Sequence, residues 1–156
     1  LEPLIRFGRY DEAREFNRKG QRLCNGNRGD LSITPLHLRF RTHIGDFPGA
    51  IRLVESNFRF VLETTSWDDK FRFYFSMALL FEALIRRGTR KHRKMRLPKS
   101  FELWDNENKY ELAELHTWFH KNSLDIAARF DKRNGTTAYV DHYESVRELI
   151  LRDPPS

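Results

Sequence analysis

The chain has 156 residues, 39% of them hydrophobic and 13% aromatic, enough to build the core of one folded domain. No apolar run approaches the roughly 20 residues that cross a bilayer as a helix, and the single cysteine, Cys24, excludes an internal disulfide or a cysteine-built zinc site. The net charge of +6 is concentrated: residues 86–99, RRGTRKHRKMRLPK, hold eight of the 28 Lys and Arg and no acid, leaving the remainder near neutrality. Thirteen Phe against two Met favour a rigid, well-specified interior, because Phe fills a large volume with few rotatable bonds. A first residue of Leu rather than Met points to a soluble piece of a longer protein, and the sparse cysteine suits a reducing, cytoplasmic setting.

In chain order, NGNRGD at 25–30 reads as a loop, and Thr34 with Pro35 as the N-cap and first residue of a helix that runs through Leu36, Leu38 and Phe40 and stops at Gly45. Apolar residues at 47, 50, 51, 54, 58, 61 and 62 fall at helical spacing, with Pro48 in the first turn, where its missing N–H costs nothing. Ser66 with Asp69 forms a capping-box pattern that opens a run from Trp67 to Arg87, and this run is apolar on nearly every side between Phe71 and Ile85. Such a pattern predicts a central, buried helix. Gly88 and Pro98 interrupt residues 88–107, so this basic stretch is a candidate mobile loop. Asn108 with Glu111 marks the next helix start, Leu112, Leu115, Phe119, Ile126 and Phe130 its stripe, and RNG at 133–135 its end. Tyr139, Tyr143, Val146 and Ile150 give a last helix, closed by Asp153, Pro154 and Pro155. No window alternates with period two over a useful length, so the fold class is all-α, with about six helices.

GRYDEA at 8–13 returns loosely as GDFPGA at 45–50: a glycine able to turn the chain left-handed, an aromatic two residues on, and an alanine that allows close helix approach. On these residues the chain resembles the tetratricopeptide repeat (TPR) family. FGRYDEAREFNRKG is similar to the turn and second helix of one unit, LSITPLHLRFRTHIGDFPGAIRLVESNFRF to a whole unit, and YFSMALLFEALIRRG to a third first-helix. The glycines Gly8, Gly45 and Gly88 lie 37 and 43 residues apart, where the family repeats every 34, and after Gly88 the aromatic and alanine give way to Arg90 and Arg93. The resemblance implies stacked antiparallel helix hairpins in a right-handed superhelix. It also implies a noncatalytic module that binds a peptide or helix in a concave groove, with no cofactor.

Carried over by position, the groove residues are Ser32, Pro35, Arg39, Thr42 and His43, then Phe75, Ala78, Glu82, Ile85 and Arg86, with Ile5 and Arg6 from the truncated first unit. Arg6, Arg39 and Arg86 in one groove suit an acidic partner or a terminal carboxylate, since guanidinium binds carboxylate as a fork. The family's asparagine clamp is missing at these positions, and solvation or pairing with nearby acids accounts for the arginines equally well.

Other chemistry is sparse. His116 and His120 stand four apart on one helix, able to reach one metal ion, with Glu114 or His142 as the available third ligands, but no HExxH surrounds them and no metal is expected. Arg87 and His92 match the R-x-x-x-x-H spacing that resembles a family of helical ribonucleases, two residues deep. The alternative function is nucleic-acid binding by Arg86, Arg87, Arg90, Lys91, Arg93, Lys94, Arg96 and Lys99, salt-sensitive and nonspecific because the segment has no aromatic for base stacking. A solvated loop that pairs with Glu102, Asp105 and Glu107 accounts for the same residues without a ligand.

Overall fold

A computed structural model of the chain describes residues 1–22, 31–88 and 90–154, so Cys24, the NGNRGD loop and Pro155 lie outside the described residues. Seven helices are found among them: α1 (Glu2–Arg6), α2 (Tyr10–Gln21), α3 (Thr34–His43), α4 (Phe47–Glu63), α5 (Trp67–Arg87), α6 (Leu112–Asn134) and α7 (Ala138–Leu151). Two short strands, β1 (His92–Lys94) and β2 (Lys109–Glu111), pair antiparallel between α5 and α6. No helix among the described residues is long and apolar enough to cross a membrane.

Local chemistry sets several helix ends. Asp46 caps α4 by accepting the Gly49 N–H (3.0 Å), Ser66 caps α5 by accepting the Asp69 N–H (3.2 Å), and Gly135 closes α6 in the left-handed conformation at φ 65°. The repeated stretch has one physical meaning in both places. Gly8 and Gly45 adopt φ of 70° and 77°, while Ala13 and Ala50, five residues later, are fully buried at the close approach of the following helix. Gly88 instead continues in extended conformation, so the chain leaves α5 without the turn that would start another hairpin.

At the centre is α5, whose residues from Phe71 to Phe81 are buried on nearly every side: Phe71, Phe73, Tyr74, Phe75, Met77, Leu79, Leu80 and Phe81 are all inside. It packs most extensively on α6 and is also covered by α3, α4 and α7. Phe119 of α6 sits among Phe58, Tyr74, Phe81 and Phe101 with ring centroids 5.4 to 5.7 Å apart, within the range of favourable aromatic contact.

Three expectations need correction. First, the segment 88–107 carries β1, and Met95, Leu97 and Phe101 within it are buried, so apolar side chains tie it to the core. Second, Asn108 does not cap a helix. It takes φ 55°, which Asn tolerates, after a turn in which the Asp105 carboxylate accepts the Glu107 and Lys109 N–H groups, and α6 begins only after β2. Third, Thr34 lies inside α3 rather than capping it, with Ile33 at the cap position.

Helix α3 is polar in sequence yet buried along nearly its whole length, including His37, Arg39, Thr42 and His43. His37 Nδ1–H donates to Asn17 Oδ1 (2.7 Å), and burial pushes its imidazole down to about 4. This ring occupies the space beside Gly20, where an added Cβ would collide with His37 Cε1 and Nε2. The bond to Asn17 keeps the ring from swinging aside. Gly20→Ala should therefore destabilise the fold by roughly 1–3 kcal/mol through overpacking, although Ala is better than Gly by about 1 kcal/mol in an open helix. Urea titration checks the sign, and a variant more stable than the parent would contradict this packing.

Candidate functional site

Of the residues expected to line a groove, Pro35, Arg39, Thr42 and His43 lie on α3, Phe75, Ala78, Glu82, Ile85 and Arg86 on α5, Ile5 and Arg6 on α1, and Ser32 in the turn before α3, and α7 packs against both α3 and α5. Tyr143, Val146, Leu149 and Ile150 of α7 point inward and are buried, against α3 and α5. A helix of this length covers about 21 Å, and polar contacts hold it along its course. Asp131 accepts the Tyr139 and Val140 N–H groups at its start (2.9 and 3.1 Å), and Tyr139 Oη–H donates to Asp68 (3.1 Å). Arg6 donates to Ser145 Oγ (2.8 Å), and Arg152 donates to the Ile5 carbonyl (3.2 Å).

The expected anchors take internal partners. Arg39 is 1% exposed, and its Nε and Nη2 both lie 2.5 Å from Glu2 Oε1 while Nη1 donates to Ser76 Oγ (2.9 Å) and the guanidinium sits 4.8 Å over the Phe75 ring. Burial lowers its pKa and the Glu2 carboxylate opposes that, so the charge is kept by a partner inside the chain, closed to an outside carboxylate. Thr42 Oγ1–H donates to the Leu38 carbonyl (2.8 Å). His43 Nδ1–H donates to the Ile150 carbonyl on α7 (3.0 Å), which leaves Nε2 to accept from Tyr10 Oη–H (3.0 Å). Phe75, Ala78, Pro35 and Ile5 are core residues, with Phe75 between His142 and Tyr143. Ser32, Arg6, Ile85 and Arg86 face solvent.

Glu82 is the polar centre of the α5–α6–α7 junction. Arg147 of α7 forks onto it (Nε to Oε2 3.0 Å, Nη2 to Oε1 2.6 Å), Arg86 donates to Oε1 (2.8 Å), and His116 Nε2 stands 3.8 Å from Oε2. Burial alone would raise the Glu82 carboxyl, but Arg147, Arg86 and His116 hold it below its ordinary value. Glu82 follows from its position before Gly88, whereas its partner Arg147, the Glu2–Arg39 pair and Ser76 carry no signal in the sequence.

His116 and His120, four apart on α6, stack on each other at 5.4 Å, and His120 Nδ1 meets Tyr143 Oη at 2.8 Å. Among the described residues no three of His, Cys, Asp and Glu are placed to share a metal ion. Burial depresses the imidazoles of His43, His116 and His142 below 6.5, so protonating them as pH falls through 6.5 opposes the fold.

The basic segment is divided in its contacts. Arg86 is held by Glu82, Arg87 donates to the His43 carbonyl (3.2 Å), Arg96 to Glu55 (3.2 Å), and Lys99 stands 5.7 Å over the Trp104 ring. Arg90, Lys91, Arg93 and Lys94 lie on β1 and its approach. No hydrogen bond joins Arg87 to His92 among the described residues. An open depression of about 590 Å³ lies elsewhere, along α6 and the loop before it, lined by Glu102, Glu111, Glu114, Thr117 and Trp118. No family model, no curated protein and no solved structure matches this chain.

Because Arg39 is enclosed, Glu2→Gln should leave an uncompensated buried cation and cost about 3 kcal/mol or more. The double variant Glu2→Gln with Arg39→Met should recover most of that loss in urea titrations. Equal destabilisation of the single and double variants would contradict a buried, Glu2-dependent charge.

Proposed function

We propose that this chain is a noncatalytic interaction module, TPR-like in its hairpins, whose inner face holds an amphipathic helix. The observation that carries the reading is α7 itself, a helix seated along α3 and α5 by an apolar stripe and a forked Arg147–Glu82 contact. The paired glycine turns at Gly8 and Gly45 and the buried alanines after them support the likeness to helical repeats. The partner this face suits is a second amphipathic helix that presents an aromatic and, one turn later, an arginine, as α7 does with Tyr143 and Arg147. An acidic peptide anchored on Arg39 is the less suitable ligand, because that guanidinium already has its carboxylate. Exchange of α7 for such a helix is the binding event of this proposal.

A fluorescent peptide spanning residues 138–152 tests it. Val146→Asp and, more gently, Arg147→Ala weaken the resident helix without altering the face beneath it. Both variants should bind the peptide saturably and more tightly than the parent chain, with anisotropy as the readout and circular dichroism confirming the other helices. Binding that is absent from both variants, or equalled by a peptide of scrambled sequence, would contradict the reading.

A further inference from the structure

A second surface, separate from the inner face, carries chemistry of its own. In the β1–β2 ribbon His92 pairs with Glu111, Arg93 with Tyr110, and Lys94 with Lys109. Lys94 and Lys109, directly opposed, stand on the same face, and both are exposed. Such opposed residues of an antiparallel pair bring their Cβ atoms to about 5 Å, and like charges there oppose strand pairing. The ribbon thus keeps a repulsive pair at its end that an anion would relieve.

The cations around it are left free by their neighbours. Arg90, Arg93, Lys94 and Lys109 have no side-chain hydrogen bond and no ion pair among the described residues, and Lys91 lies only at 3.9 Å from Glu111. None of the nearby acids forms an ion pair with these four among the described residues. Glu102 accepts from Trp118 Nε1–H (2.9 Å), Asp105 accepts backbone N–H groups of its own turn, and Glu107 makes no ion pair among the described residues. The ribbon is also fixed in place, through Met95 N–H to the Asn108 carbonyl (2.9 Å), Leu112 N–H to the Lys91 carbonyl (3.0 Å), and the buried Met95, Leu97 and Tyr110. Cations without an ion-pair partner, held on an ordered ribbon, meet a polyanion without first having to be ordered.

We propose that the β1–β2 ribbon binds the phosphodiester backbone of a nucleic acid, with Lys94 and Lys109 on its exposed face, Arg90 at its approach and the half-buried Arg93 on the Tyr110 face as the contacting residues. From Arg90 to Lys94 the extended chain spans up to about 13 Å, a reach that fits several successive phosphates of a polymer and exceeds one phosphate group. A membrane surface fits less well, since the apolar side chains of this region, Met95, Leu97, Phe101 and Tyr110, are buried and none is offered for insertion. No exposed aromatic stands among the four cations to stack a base, so binding is to the backbone and independent of sequence.

The test measures anisotropy of labelled single-stranded RNA and duplex DNA of mixed sequence, at several salt concentrations, with the whole chain. The variant Arg90→Gln, Arg93→Gln, Lys94→Gln, Lys109→Gln should lose at least about tenfold in affinity, and its log–log salt slope should flatten by roughly 3 on duplex DNA. A charge-matched variant on the exposed side of α6, with Lys121, Arg129, Lys132 and Arg133 all changed to Gln, should bind nearly as the parent does. Lys109→Glu separates binding from folding, because it places opposite charges across the strands: its melting temperature should hold or rise while its affinity falls. Four results would overturn the proposal: no nucleic-acid binding by the parent at low salt, equal losses in the two quadruple variants, undiminished binding by Lys109→Glu, or tighter binding to phosphatidylserine vesicles than to either nucleic acid.

Discussion

The arrangement depends on one constraint: between Phe71 and Leu84 α5 is apolar on nearly every side, broken only by Arg72, Ser76 and Glu82, so nearly all of it must be covered. Helix α6 covers the largest share, α3 and α4 cover another, and the face left over would hold Phe71, Phe75 and Ala78 open to water. In a stack of hairpins that remaining face is the hollow. Here α7 fills it, and its inward residues are the aromatic and branched side chains such a surface requires. That face is therefore part of the core.

Polar groups around this junction are arranged to keep that cover in register. Apolar packing alone tolerates sliding of one helix along another, whereas a forked guanidinium–carboxylate contact has a single geometry. Arg147 on Glu82 fixes α7 near its middle, and Asp131 and Arg152 fix its two ends. Glu2 carries out a related task for α3 by pairing with Arg39 in the interior. Positive charge is then left outside, on the ribbon, where local acids are turned toward backbone amides and Trp118.

Elements with strong periodicity or a cap were legible from the residues alone. Helices α4 and α5, the Gly135 stop of α6 and the close of α7 sit where Pro48, Ser66, RNG and Pro154 place them. Three-residue strands such as HRK and KYE are too short to show a period of two, so the ribbon was hidden and Lys109 with it. The burial of α3 was hidden for a different reason. TPLHLRFRTH alternates polar and apolar residues without an exposed side, and its polar members become core residues only because Glu2, Asn17, Tyr10 and the Ile150 carbonyl, all distant in sequence, meet them. Position relative to Gly45 and Gly88 singled out Arg39, Thr42, His43, Phe75 and Glu82, yet nothing local to those residues announces the internal partners they take or the packing of α7.

Amide hydrogen exchange resolved by residue tests the central claim most directly, namely that α7 is an integral cover of α5. The amides of Tyr143, Val146 and Ile150 should be protected to nearly the same degree as those at the centre of α5, and Glu82→Gln should lower protection in α7 more than in α4. Exchange of α7 amides at rates typical of a free helix, with α5 still protected, would contradict it.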